Sequence, residues 1–170
     1  MNRIVIIGCG GAGKTFLSNL LSKKTGLPVY HLDLISYEDN WKEVEHEILK
    51  KRHTDLIKKD KWIIDGMLLQ QLPDRLTRSD LVIFLDYAPW RNIYGALKRL
   101  IVDYGKIRPD TPKGCTESFD FHFLLYLLSF HKNVRPKLHK ILENPDNKCS
   151  IMIFKNRNET QKWLDSYEPH

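Results

Sequence analysis

The sequence predicts an α/β domain in which a parallel sheet is covered by helices on both faces. Three observations predict it. Five short runs of apolar, largely β-branched residues are continuous rather than alternating; amphipathic helical patterns separate them; and a glycine-rich turn follows the first run directly.

Ile4 to Gly8 reads as a buried strand, and Lys14 to Thr25, with Leu17, Leu20 and Leu21 at helical spacing, as the helix after it. Gly26 and Pro28 stop that helix. Val29 to Asp33 (VYHLD) is the second predicted strand. Trp41 to Lys59 reads as one amphipathic helix with Trp41, Val44, Ile48, Leu49, Leu56 and Ile57 on its apolar face. Trp62 to Asp65 (WIID), Leu81 to Asp86 (LVIFLD) and Ile151 to Phe154 (IMIF) complete the strands. Between the last two lie helical patterns broken by Gly105, Pro109, Pro112 and Gly114.

At 170 residues the chain has the length of a single domain, without repeats, low-complexity tracts or a linker-like stretch. The apolar runs at Ile4–Ile7 and Phe121–Phe130 are too short for a signal-peptide core or a membrane span, so a cytoplasmic protein is expected. Three cysteines without a C-x-x-C pair signal neither a disulfide framework nor a zinc site. The formal charge of +6 is local: residues 91 to 140 hold ten Lys/Arg against four Asp/Glu and carry the whole excess. That segment is expected to meet an anionic partner, either phosphates of a small molecule or those of a nucleic acid.

Gly8, Gly13, Lys14 and Thr15 fit G-x-x-x-x-G-K-[ST], with the required strand before and helix after. Glycines at such a turn let backbone N–H groups point inward around a phosphate, and the helix N-terminus adds positive potential. The expected nucleotide-binding residues are Gly8, Gly10, Gly11, Ala12, Gly13, Lys14, Thr15 and Phe16, with small residues at the variable positions permitting tight packing. Lys14 would bridge the β- and γ-phosphates of ATP, and the Thr15 hydroxyl would ligate Mg²⁺. Three predicted strands end in aspartate, Asp33, Asp65 and Asp86, on the rim where such sheets bind ligands; together they suggest a cation site. A guanine-reading Asn-Lys-x-Asp is missing, since FKNRN (Phe154 to Asn158) is not one, which disfavours a GTPase.

GCGGAGKT, HLD at Asp33, WIIDG at Asp65 and Gly66, LVIFLD at Asp86 and RPDTPKGCTESFDFHFLLYLLSFHKNVRPK from Arg108 to Lys137 together resemble the bacterial DNA topology modulation proteins, which are similar to adenylate kinase. The resemblance implies a three-layer P-loop fold of the nucleoside monophosphate kinase type, strand order 2-3-1-4-5, with residues 91–140 as a helical basic lid. It also implies Asp65 beside Thr15 as a metal residue, Asp33 facing the acceptor, and adenine contacts from Lys155 to Arg157. The activity expected is ATP- and Mg²⁺-dependent phosphoryl transfer to a small-molecule or nucleotide acceptor, with Lys14, Asp33, Arg99 and Arg135 as catalytic residues. Arg91, Lys98, Arg108 and Lys132 complete the basic cover.

The alternative is an ATP-binding regulator whose basic segment contacts DNA through Lys132, Arg135 and Lys137, with Phe119, Phe121, Phe123, Tyr126 and Phe130 stacking on bases. Leu124, Leu127, Leu128 and Val134 repeat at helical spacing there, which favours core packing for those aromatics. Trp41, Trp62 and Trp163 are likewise expected in the core.

Overall fold

The computed structural model describes residues 1–107 and 110–168; Arg108 and Pro109, within the expected basic cover, lie outside the described residues. In chain order the elements are β1 (Arg3–Gly8), α1 (Lys14–Thr25), β2 (Val29–His31), the single turn α2 (Asp33–Ser36), β3 (Tyr37–Glu38), β4 (Lys42–Glu43), α3 (His46–Ile57), β5 (Trp62–Asp65), α4 (Leu72–Arg78), β6 (Leu81–Leu85), α5 (Pro89–Asp103), α6 (Phe121–Asn133), α7 (Arg135–Leu142), β7 (Ser150–Phe154) and α8 (Arg157–Ser166). The main sheet runs β2-β5-β1-β6-β7 with every pairing parallel. Counting only its five strands along the chain, this is the expected order 2-3-1-4-5.

Continuous apolar strands are explained by burial on both faces. Val5, Ile7, Trp62, Ile64, Val82 and Phe84 point one way, into a core closed by α3, α4, α6 and α7 through side chains such as Leu56, Leu72, Phe130 and Leu138. Ile4, Ile6, Ile63, Leu81 and Ile83 point the other way, onto Leu17 and Leu21 of α1 and Leu164 of α8. The period of two along each strand thus divides the chain into three layers.

Two expectations are corrected between β2 and β5. β2 stops at His31, and Asp33 opens α2 instead of ending a strand. The helix expected from Trp41 begins only at His46, because residues 37–43 fold as a two-stranded hairpin whose turn holds Asn40 and Trp41 at φ 60° and 59°. A left-handed backbone cannot continue a right-handed helix. Trp41 is consequently 38% exposed, edge-on to Tyr37, whereas Trp62 is in the core. Helix α4, with only seven residues, is too short to show a helical period in the sequence.

Within the segment expected to form the basic lid, α5, α6 and α7 anchor in the core through Ala96, Leu127, Phe130 and Leu138. The backbones of α5 and the glycine loop touch directly. A Cβ on Gly95 would overlap the carbonyl oxygen of Gly11, and one on Gly11 would overlap the backbone of Asn92 and Ala96. Gly95→Ala should therefore lower stability by roughly 2 kcal/mol, despite alanine's better helix propensity; chemical denaturation checks this.

Beneath β5, His53 and Arg75 are both completely buried. Arg75 Nη2 donates to the carbonyls of Met67 (2.6 Å) and Leu68 (3.3 Å), fastening the turn that leaves β5. Among the described residues neither ring nitrogen of His53 has a hydrogen-bond partner. Burial, and then the positive charge of Arg75, push the His53 imidazole down to about 4. A base whose pKa is lower folded than unfolded binds fewer protons in the native state, so stability should fall as pH drops from about 6.5 to about 4, by on the order of 3 kcal/mol. Denaturant midpoints across that range should show the loss in the native chain and a flatter profile in His53→Leu.

Candidate active site

The glycine turn joins β1 to α1 at the carboxyl edge of the sheet, beside the ends of β5 and β6. Gly8, Gly11 and Gly13 have φ of 152°, 75° and 95°, values in which a side chain would be strained. They hold different positions for different reasons. Gly8 lies against Leu85, Gly10 against the Phe123 ring and Gly11 against α5, so each also needs the space; at Gly13, the residue before α1, a Cβ would have nothing within 4 Å, and glycine is required there for conformation alone. Ala12 is buried beneath the loop, and Phe16 points outward with 67% of its surface exposed.

Lys14 curls back over the loop, its Nζ donating to the Cys9 carbonyl at 3.0 Å. Burial pushes its ammonium below the ordinary lysine range, against the opposing pull of Asp33 and Asp65. The Cys9 thiol is pushed up to about 11, mainly by burial, which leaves it protonated and unreactive.

Asp65 ends β5 almost completely buried and accepts from Ser18 Oγ at 2.6 Å and pairs with His31 Nδ1 at 2.8 Å. Burial works against the His31 cation, but the hydrogen bond and charge of Asp65, with Asp110 and Asp33 further off, raise its pKa above the usual histidine value. Asp110 comes from the segment after α5, where Thr15 Oγ1 donates to its Oδ2 at 3.1 Å. Asp33 stands at the exposed start of α2. Asp33, Asp65 and Asp110 thus share the electrostatic surroundings of His31, and the first two also those of Lys14.

Asp86 does not join them. At the end of β6 it is gripped by Arg135 through two bonds of 2.7 Å, by Lys155 Nζ, and by His139 Nε2 at 3.4 Å. Burial alone would raise its pKa, but these partners hold the carboxylate well below its ordinary range. Its place in a three-aspartate cation site is corrected accordingly: the carboxylate is occupied by a structural ion cluster. Arg135 faces that cluster, and Arg99 pairs with Glu117 at 2.8 Å while lying close enough to Lys14 to disfavour its charge. Arg91 is exposed and stacks on Trp90; Lys98 and Lys132 are exposed as well. Arg157 reaches toward Gly95 beside the loop, and α8 is capped by Asn156, whose side chain accepts from the Glu159 amide.

His31, Ser18 and Asp110 were not among the residues expected from sequence. Ser18 follows the motif by one turn of α1 and His31 precedes Asp33 by two, but Asp110 meets Thr15 across 95 positions and only the tertiary fold brings them together.

Neither a family model nor any curated protein sequence matches the chain. Solved structures do match its fold. A shikimate kinase from Acinetobacter baumannii in complex with shikimate superposes with a TM-score of 0.56 at 16% identity, over 97% of this chain and 92% of that one. A deoxyadenosine kinase from M. mycoides gives 0.56 at 16%, over 96% and 95%, and a sugar kinase from Janibacter sp. HTCC2649 gives 0.53 at 14%, over 97% and 95%. The fold is therefore that of the P-loop kinases. Identities this low define the architecture alone.

The His31–Asp65 pair gives a direct test. An NMR titration of His31 should show a midpoint above 6.5, and Asp65→Asn should lower it.

Proposed function

We propose that the protein is an ATP- and Mg²⁺-dependent kinase that phosphorylates a small hydroxylated acceptor. The observation that carries this reading is the gathering of Lys14, Thr15, Asp33 and Asp65 at one edge of the sheet. The kinase fold and the resemblance to topology modulation proteins support it; the three fold neighbours are kinases with different acceptors.

The residues fit both groups. Mg²⁺ favours hard oxygens and in phosphoryl-transfer sites takes only one or two protein ligands besides phosphate and water. The Thr15 hydroxyl and the carboxylates of Asp65 and Asp110 are such a set, and among the described residues no three His, Cys, Asp or Glu side chains form a metal cage by themselves. Mg²⁺ would neutralise charge on the phosphates. The loop amides and the α1 N-terminus would hold them, and Lys14, exchanging the Cys9 carbonyl for a phosphate oxygen, would stabilise negative charge as transfer proceeds. Asp33 would orient the acceptor hydroxyl and receive its proton. Arg99, tied to Glu117 in the cover segment, would complete the charge around the transferred group, whereas Arg135 would join it only by leaving Asp86. No helix of the described residues is long and apolar enough to cross a membrane.

Two of the arginines in the basic segment turn inward onto carboxylates, Arg99 onto Glu117 and Arg135 onto Asp86, which favours a cover over a DNA-binding stripe. Lys14→Ala should lower ATP turnover at least ~100-fold, measured as ADP release in a screen of hydroxylated metabolites, nucleosides and nucleotides. Asp33→Asn should lower kcat with little change in the KM for ATP. Undiminished turnover in Lys14→Ala would overturn the reading.

A further inference from the structure

Large apolar side chains on the surface are not scattered evenly. On α5, Trp90, Tyr94, Leu97 and Ile101 are 61%, 59%, 45% and 79% exposed. Their spacing of four, three and four residues places them on one stripe of the helix. On α6, Phe121, Leu125 and Leu128 repeat the pattern at 58%, 46% and 57% exposure. The two helices are neighbours, and Ile93 and Leu100 of α5 with Leu124 and Leu127 of α6 line the groove between them. Each helix anchors its opposite side in the protein, α5 through Asn92 and Ala96 and α6 through Leu127 and Phe130, so both stripes face outward. Among the described residues no packing covers them.

Together the seven expose the equivalent of about four whole large side chains, on the order of 600–800 Å². The largest apolar patch on an ordinary monomer is about 300–600 Å², and a standard stable interface takes about 800 Å² from each partner. We infer that α5 and α6 form an isologous dimer interface in which a second copy of this chain lays the same two helices across these stripes. The area is what one copy must contribute. A two-fold axis turns two adjacent amphipathic helices into a four-helix layer, burying both stripes at once without requiring another surface. Arg91 and Lys98 are exposed beside the α5 stripe and Lys132, four residues after Leu128, ends the α6 stripe, so these cations stay in water at the rim, where like charges are screened. The inner side of α5 presses on Gly11, so the dimer would brace the helix that backs the glycine loop. Dimerisation of this kind is independent of the kinase reading.

Sedimentation equilibrium of the full chain at micromolar concentrations should give twice the 20.1 kDa chain mass. Ile101→Glu, at the most exposed position, should give the monomer mass with an unchanged circular dichroism spectrum, and Tyr94→Glu should do the same. A native monomer up to ~100 μM would overturn the inference, as would a dimer that survives both substitutions. Co-sedimentation of a monomeric chain with anionic phospholipid vesicles would overturn it in favour of a membrane surface as the partner of this face.

Discussion

The fold turns on a contact between two stretches of bare backbone, the glycine loop at Gly11 and helix α5 at Gly95. Every other feature of the candidate site is placed relative to it. β1 carries the loop out of the sheet, α1 carries it back, and α5 closes from the side, so the loop is held on three sides by elements anchored in two separate cores. Rigid support of this kind lets a row of amides keep a fixed curvature that a solvated loop would lose. It also explains why glycines occupy positions where the phosphate motif itself permits any residue: Gly10 and Gly11 are small because Phe123 and α5 lie against them.

Charge around the loop is divided between two clusters with opposite characters. On the β5 side, Asp65 is buried with His31 and Ser18, and Asp33 and Asp110 reinforce a negative field beside Lys14 and Thr15. On the β7 side a single buried carboxylate, Asp86, is surrounded by Arg135, Lys155 and His139.

The sheet and the glycine turn were legible because their signals are local. Continuous β-branched runs mean two-sided burial, and the glycine turn is a contiguous string with fixed spacing. The segment from Asp33 to Glu45 was not, because Trp41, Val44 and Ile48 imitate a helical period while Asn40 and Trp41 adopt left-handed backbone that composition does not reveal. The candidate site was legible where it is sequential, at Lys14 and Thr15, and illegible where it is tertiary. Asp86 resembles its neighbours at strand ends in sequence, and only the fold brings Arg135, 49 residues away, onto it. Asp110 lies in a stretch read for its helix breakers and its resemblance, neither of which points that carboxylate at Thr15. Arg75 and His53 give no signal either, since a buried cation on a short helix is indistinguishable in sequence from an exposed one.

If the loop backed by α5 is a nucleotide phosphate cradle, its amides must respond to nucleotide. An amide NMR titration with Mg²⁺·ADP tests this most directly. Saturable shifts of the Gly10 to Thr15 amides are expected, accompanied by Gly95 and Ala96 across the backbone contact. Saturable binding that leaves those amides unmoved, or no binding at millimolar nucleotide, would contradict it.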